Sequence, residues 1–488
     1  MLRRFFSFIT LLVVLLALLA IGLAVNGLRV KPVRVVATPA DVTLSVPDAL
    51  IETFAEALRI RTVSGVAGGP DAAAEFDRWM VFLRQRFPEV YSQLQPEVIN
   101  KYGLIFTWAG RNTSEPPILF TAHYDVVPAN GNDWTHPPFS GAVEDGYIWG
   151  RGAMDDKLAV IGLLSAATEL LKQGYTPDRT LIFAFGQDEE IGGSAGAEQL
   201  TATLRARGVK PLFILDEGMP ITRGVLAGLP RAAALIGVAE KGFVNIELSA
   251  DSPGGHSSTP PANTAVGILS QAITRLETIQ MPARLDGPVG AMFDRLTPEM
   301  PPLQRIILGN RWLLAPLITW QLGNVPTTNA MIRTTTAATM FEGSEQANVL
   351  PTRATATINV RLLPGDDVDS VLAHIKNTVD DNRVSARVLG DPTPASPVSN
   401  VDGVGFRIIE TTIRETFPNT LVAPALLVAT TDAKHYGKLS ADVYRFRPVR
   451  IGPDDVKRFH GVNERLSVEN LHEAVRFFVQ LLRNSARV

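Results

Sequence analysis

His123 and Asp125 form an HxD pair, in which one residue can ligate a cation while the other orients or tunes it from behind. Asp155 lies in the run Gly150-Arg151-Gly152-Ala153-Met154-Asp155-Asp156-Lys157, a glycine-rich turn that delivers carboxylates onto a helix start. Glu189 and Glu190 are adjacent, so their side chains diverge, and one can ligate while its neighbour holds a water. Asp216 ends a third apolar run, and His460 stands far along the chain in His460-Gly461-Val462-Asn463-Glu464. Two imidazoles and three carboxylates make a borderline-hard set that suits zinc, with manganese or cobalt as substitutes. Two ions sharing one carboxylate at about 3.5–4 Å would acidify a water between them and polarise a carbonyl. The glutamate left free would then act as general base and afterwards as acid. Taken singly these signals are weak, since an HxD pair arises by chance and an Asp-Glu-Glu run is usually a solvated helix start. Their joint occurrence, each after its own strand or turn, carries the argument. His136, His374 and His472 have no comparable surroundings.

The elements that must position these groups alternate along the chain. Apolar runs rich in β-formers occur at 118–122, 180–185 and 212–215, and 158–172 between the first two repeats at helical spacing. This rhythm predicts an α/β fold with a mostly parallel sheet covered by helices. In such sheets reactive groups gather beyond the carboxyl ends of strands. The catalytic body is expected over 48–239 and 363–488, closing with a helix at 468–482. Residues 240–362 read as an inserted α+β lid or dimerisation domain, with alternating strands at 243–250 and 355–361 around a helix near 265–276. Its stretch 306–322 is unusually apolar. It reads as lid core, or else as a greasy wall for a long-chain substrate or a surface dipping into a bilayer.

Composition sets the outer bounds. Hydrophobic residues are 46% and charged residues 19%, which excludes a largely disordered chain. The net charge is 46 Lys+Arg minus 49 Asp+Glu, or −3, and offers no basic surface for nucleic acid. Cysteine is absent, so disulfides, a thiol nucleophile and cysteine-ligated zinc are all excluded. Residues 5–25 are apolar apart from Ser7 and Thr10, enough at about 1.5 Å per residue to cross roughly 30 Å of hydrocarbon. Residues 1–30 are therefore expected to be an N-terminal membrane anchor, or a signal segment, followed by a linker over 31–47. The body would lie outside the cytoplasm, membrane-anchored or secreted if that segment is cleaved.

The ordered set HYD (123–125), GRGAMDDK (150–157), DEE (188–190), DEG (216–218) and HGVNE (460–464) resembles the co-catalytic zinc metallopeptidases, a family that includes aminoacylase, carboxypeptidase S and succinyl-diaminopimelate desuccinylase. The resemblance covers nearly all of the chain after residue 47. It is nearest the branch of carboxypeptidase S and N-fatty-acyl-amino-acid synthase/hydrolase, through GGHSS (254–258), RTTT (333–336) and DVYRF (442–446). It implies that His123, Asp155 and Asp216 hold one zinc and that Asp155, Glu190 and His460 hold the other. It makes Glu189 the general base and sets Asp125 behind His123. It implies that His256 steadies the oxyanion from a partner subunit, hence a homodimer, or a lid closure delivering the same group. Asn348 and Arg361 match the pair that holds the substrate's carbonyl or carboxylate. Lys434 falls in a substrate loop where many relatives carry arginine. The activity implied is hydrolysis of amide bonds in N-acyl amino acids, reversible for fatty-acyl substrates, or removal of C-terminal residues from small peptides.

Overall fold

The computed structural model describes residues 2–32, 48–65, 68–69, 71–226 and 228–487, so most of the expected linker over 31–47 lies outside the described residues. The aromatic and aliphatic runs become Ile118–His123 and Leu181–Gly186, buried along their whole length, and Ile214–Thr222. Burial on both faces is what a strand covered by helices on either side requires. These three belong to an eight-stranded sheet in the order Glu97–Ile99, Gly103–Trp108, Leu181–Gly186, Ile118–His123, Ile214–Thr222, Val443–Ile451, Ala233–Glu240, Leu421–Leu427. The central four are parallel, and antiparallel pairings flank them on each side. Helices Lys157–Lys172 and Val468–Ala486 cover one face, close enough that a Cβ on Gly162 would stand 2.7 Å from the Phe478 ring. Helix Ala197–Ala206 covers part of the other, through Leu200 and Leu204.

A second, four-stranded antiparallel sheet runs in the order Thr335–Glu342, Arg353–Leu362, Gly242–Asp251, Val384–Thr393. Helices Ala265–Thr278 and Val368–Val379 close its core. The insertion therefore runs about thirty residues beyond the expected end at 362 (393 − 362 = 31), because Val384–Thr393 pairs with Gly242–Asp251. The large sheet resumes at Leu421–Leu427 and not directly after the expected boundary at 363. Between the strands of the small sheet, the chain leaves it. Helix Gly287–Leu296 and the helices after it pack on the edge of the large sheet, against Leu235, Leu421 and Ala423.

The apolar 306–322 stretch forms parts of two helices, Pro302–Gly309 and Arg311–Gly323, meeting at Asn310. Leu308 and Ile318 are the only buried side chains in these two helices, so the lid-core expectation does not hold for most of the stretch. The N-terminal helix Leu2–Arg29 carries an exposed apolar stretch, Phe5–Arg29, with mean hydropathy 3.1, long enough to cross a membrane.

Candidate metal centre

Each donor arrives on its own element. His123 is the last residue of its strand, and Glu189 and Glu190 open a single 3-10 turn just after Leu181–Gly186. Asp155 sits at the end of the glycine-rich turn, ahead of helix Lys157–Lys172. His460 adopts a positive φ of 56° in the segment after Val443–Ile451.

The Asp155 carboxylate lies between the two imidazoles: Oδ1 is 3.3 Å from His123 Nε2 and Oδ2 is 3.3 Å from His460 Nε2. His460 Nε2 is also 3.2 Å from Glu190 Oε2. On the other side, His123 Nε2 is 3.3 Å from Glu217 Oε1. Three groups of donors result, each with ligand atoms within 4.8 Å of one another: His123, Asp155 and Glu217; His123, Glu189 and Glu190; Asp155, Glu190 and His460.

Asp216, expected as the ligand at the end of the third apolar run, is in none of these groups. The physical reason is a bulge. Asp216 pairs with Arg445 and Met219 with the next residue, Phe446, so Glu217 and Gly218 are extra in the ladder. A bulge re-aims side chains, and here Glu217 turns to His123. Gly218 has φ 149°, and a Cβ there would stand 2.6 Å from that of Arg445. Asp216 instead accepts from the Glu217 N–H at 2.9 Å, and burial followed by the Glu217 charge pushes its carboxyl up to about 7.

The donors are held from behind. Asp125 is fully buried, and its Oδ2 accepts from Ser64 Oγ at 2.7 Å and from the Glu190 N–H at 3.1 Å. Its Oδ1 accepts from the Glu189 N–H at 3.0 Å and lies 3.2 Å from His123 Nδ1. One carboxylate thus fixes the imidazole and the Glu189–Glu190 turn together. Glu464, quoted in the HGVNE motif without a role, does the same for the Asp155 turn. Its Oε1 accepts from the N–H groups of Met154 (2.7 Å) and Asp155 (3.2 Å). Its Oε2 accepts from Gly152 N–H (3.1 Å) and Arg151 Nη1 (2.6 Å).

Arg447, also unforeseen, is buried and donates to Asp155 Oδ1 at 3.1 Å and to Glu217. The only sequence sign was its place in the run after Asp442. Burial alone would raise the Asp155 carboxyl, but Arg447 and then the two histidines hold it well below the usual range. Burial likewise lowers His123, yet Asp125, Asp155 and Glu217 outweigh it and keep the imidazole well above its ordinary value. Hydrogen bonds to Asp155 and Glu190 raise His460 to about 10. Among the described residues Glu189 has no such hydrogen bond, and burial pushes its carboxyl well up against the pull of His123. Closely packed imidazoles and carboxylates, with the buried Glu190 Oε1 lacking any partner, fit a divalent cation: its charge would satisfy the carboxylates that the histidines now meet as acids.

The remaining expected residues lie elsewhere. His256 pairs with Val349 across a two-residue ladder, and Ser257 N–H donates to the Asn348 carbonyl, so His256 and Asn348 lie together on one exposed pair of strands distant in sequence. The His256 ring hydrogen-bonds Ser258 at 2.7 Å. No hydrogen bond or ion pair joins either residue to the His123–His460 centre among the described residues. Arg361 is half-buried, its guanidinium 4.8 Å from the Phe243 ring centre. Lys434 is half-buried in the short helix Ala433–Tyr436, beside Asp432. Asp432 is itself buried, and among the described residues neither of its carboxylate oxygens has a hydrogen-bond partner.

A mostly parallel sheet with a shared carboxylate between two imidazoles beyond its strands, and a half-buried glutamate beside them, defines a metal-dependent hydrolase. The chain belongs to peptidase family M20/M25/M40, whose model matches residues 119–484. It is 43% identical over 444 residues to an N-fatty-acyl-amino acid synthase/hydrolase of Danio rerio, covering 89% of this chain and 85% of that one. It is 39% identical over 443 residues to a probable carboxypeptidase S-like protein of Dictyostelium discoideum, covering 90% and 85%. Its fold is shared with an M20 family metallo-carboxypeptidase of Sulfolobus solfataricus at TM-score 0.63 and 18% identity, covering 91% of this chain and 100% of that one.

Proposed function

We propose that the protein is a membrane-anchored, extracytoplasmic amidase using two zinc ions, which cleaves the amide of N-acyl amino acids, fatty-acyl ones among them. The observation that carries this reading is the Asp155 carboxylate set between His123 and His460, with Glu189 free beside it. Support for the acyl substrate comes from the 43% identity to the Danio rerio synthase/hydrolase. His123, Asp155 and Glu217 would hold one ion, and Asp155, Glu190 and His460 the other. When bound, the ions acidify a water and polarise the scissile carbonyl. Glu189 removes the proton from the attacking water, keeps it because burial favours its neutral form, and passes it to the leaving amine nitrogen. Asp125 and Glu464 hold the donors still while the charge moves. Arg361 and Asn348 are assigned to the substrate carboxylate or carbonyl, with Lys434 on a neighbouring loop, and a guanidinium suits a carboxylate through its planar fork. His256, exposed within its own chain, would donate to the developing oxyanion of a partner subunit. The apolar stretch Phe5–Arg29 spans the membrane. A catalyst lowers both barriers equally, so the same groups would join fatty acid to amino acid where products abound.

The test is hydrolysis of an N-oleoyl amino acid, N-acetyl amino acids and a blocked dipeptide by the full chain, with zinc, with chelator, and as Glu189→Gln. Cleavage of the oleoyl substrate that disappears with chelator and in the variant supports the proposal. Cleavage of dipeptides alone transfers the mechanism to a carboxypeptidase, the activity named for the Dictyostelium discoideum relative.

A further inference from the structure

The outward face of helix Arg311–Gly323 is apolar where a water-facing helix would be polar. Trp312, Leu313, Pro316, Leu317 and Trp320 recur at helical spacing on one exposed stripe, with Trp312 74% and Trp320 64% exposed. Leu303, on the preceding helix, is 67% exposed as well. The residues 302–323 contain two charges, and neither serves this face. Arg311 pairs with Asp294, and Arg305 donates to the carbonyls of Leu28 and Val30. Contiguous exposed apolar surface of this kind marks a contact with a partner or a membrane.

What lies against it follows from the joint beneath. The body end of the N-terminal helix packs on Pro302–Gly309 so closely that a Cβ on Gly27 would stand 2.5 Å from the Ile306 Cα. Asn26 Nδ2 donates to Asn310 Oδ1 at 2.8 Å, and the fully buried Asn310 returns Nδ2 to the Leu23 carbonyl at 2.9 Å. Both polar side chains are thereby satisfied at the point where the apolar helix meets the body. The helix from Phe5 to Gly22, short of the joint, measures about 27 Å at 1.5 Å per residue, close to the roughly 30 Å of a hydrocarbon core. The joint therefore stands at the membrane boundary, and Arg311–Gly323 starts there. Thirteen residues give about 20 Å, too short to cross.

We infer that Arg311–Gly323 lies along the bilayer interface beside the terminal helix, with Leu313 and Leu317 in the acyl region and Trp312 and Trp320 at headgroup level. The inference rests on the terminal helix being a membrane span, as proposed above, and adds a second attachment that fixes how the body stands on the membrane.

The chain has no cysteine, so single cysteines report cleanly. Leu317→Cys, Trp320→Cys, Leu15→Cys in the span and Val98→Cys would each be labelled in the full chain with an environment-sensitive fluorophore. Val98 is 48% exposed on the edge of the large sheet opposite Leu421–Leu427. The labelled proteins are reconstituted in phosphatidylcholine–phosphatidylglycerol vesicles and quenched with lipids spin-labelled on the acyl chain. Quenching at position 317 approaching that at 15, weaker quenching at 320, and both several-fold above that at 98, is expected. Strong quenching at 15 with 317 and 320 no different from 98 overturns the inference and leaves the span intact. Quenching at 15 no greater than at 98 removes the span, and the inference with it. An apolar, concentration-dependent emission at 317 without lipid quenching assigns the face to a second copy of the chain, and likewise overturns it.

Discussion

Replacing Glu464 by Gln keeps the size of a fully buried side chain and turns one of its carboxylate oxygens into an amide NH2. Each oxygen now accepts two donors: Met154 and Asp155 N–H on one, Gly152 N–H and Arg151 on the other. However the amide is turned, two donors meet another donor. Burial raises the Glu464 carboxyl above its usual range although Arg151 and the backbone N–H groups work the other way, and with four donors already on its two oxygens the group accepts as a carboxylate. Such bonds contribute about 1.5–3 kcal/mol each, so losing two costs roughly 3–6 kcal/mol before relaxation. That is a large part of the roughly 5–15 kcal/mol that ordinarily separates folded from unfolded chains. The turn that loosens carries Asp155, so metal affinity should fall about 10–100-fold, as for other supports of ligands. Chelator-competition titration and thermal unfolding of the loaded protein measure both effects. A Glu464→Gln protein that matches the parent in melting temperature and binds metal within about twofold would refute the claim that this carboxylate builds the turn.

Glu189→Gln should lower kcat by about 10²–10⁴-fold with metal content unchanged, as direct metal analysis would verify; loss of metal instead would make Glu189 a ligand and not the proton carrier. Gly218→Ala should destabilise the protein by roughly 1–3 kcal/mol, read as a lower melting temperature, because its φ of 149° and the nearby Arg445 leave no room for a Cβ. An unchanged melting temperature there would show that the bulge is not constrained. Metal binding should release protons. His123 is held well above its ordinary value and His460 at about 10 in the metal-free protein, and an imidazole must be neutral to ligate. Affinity should therefore rise with pH up to about 10 and weaken as pH falls. Calorimetry in buffers of different ionisation enthalpy at neutral pH checks this, and an absence of proton release would contradict it.

The residues legible in the sequence were those at the ends of strongly apolar strands or glycine-rich turns. His123, Asp155, Glu190 and His460 came together because the chain reverses there and the strands are parallel. The neighbouring Asp216 and Glu217 could not be told apart, since only the ladder with Val443–Ile451 shows which residues are extra. Arg447 and Glu464 act across 292 and 309 residues on Asp155, a relation no local pattern carries. The strand Val384–Thr393 was missed because it is an exposed edge with no buried side chain to mark a period. Hydrophobicity signalled 306–322 correctly as unusual, but apolar content alone does not distinguish a core helix from one whose partner lies outside the chain.

The small sheet is tied to the large one more than its strand order suggests. The chain passes from the large sheet to the small one at Lys241, leaves it after Ala265–Thr278 for the helices on the large sheet's edge, re-enters at Thr335–Glu342, and departs after Val384–Thr393. Lys241 is itself buried, its ammonium donating to the carbonyls of Ala330 and Arg333. A door on one pair of strands would swing freely. With four passages and a pinned lysine, any displacement of the small sheet against the large one would have to bend all of them together, and the edge helices between the passages would move with it.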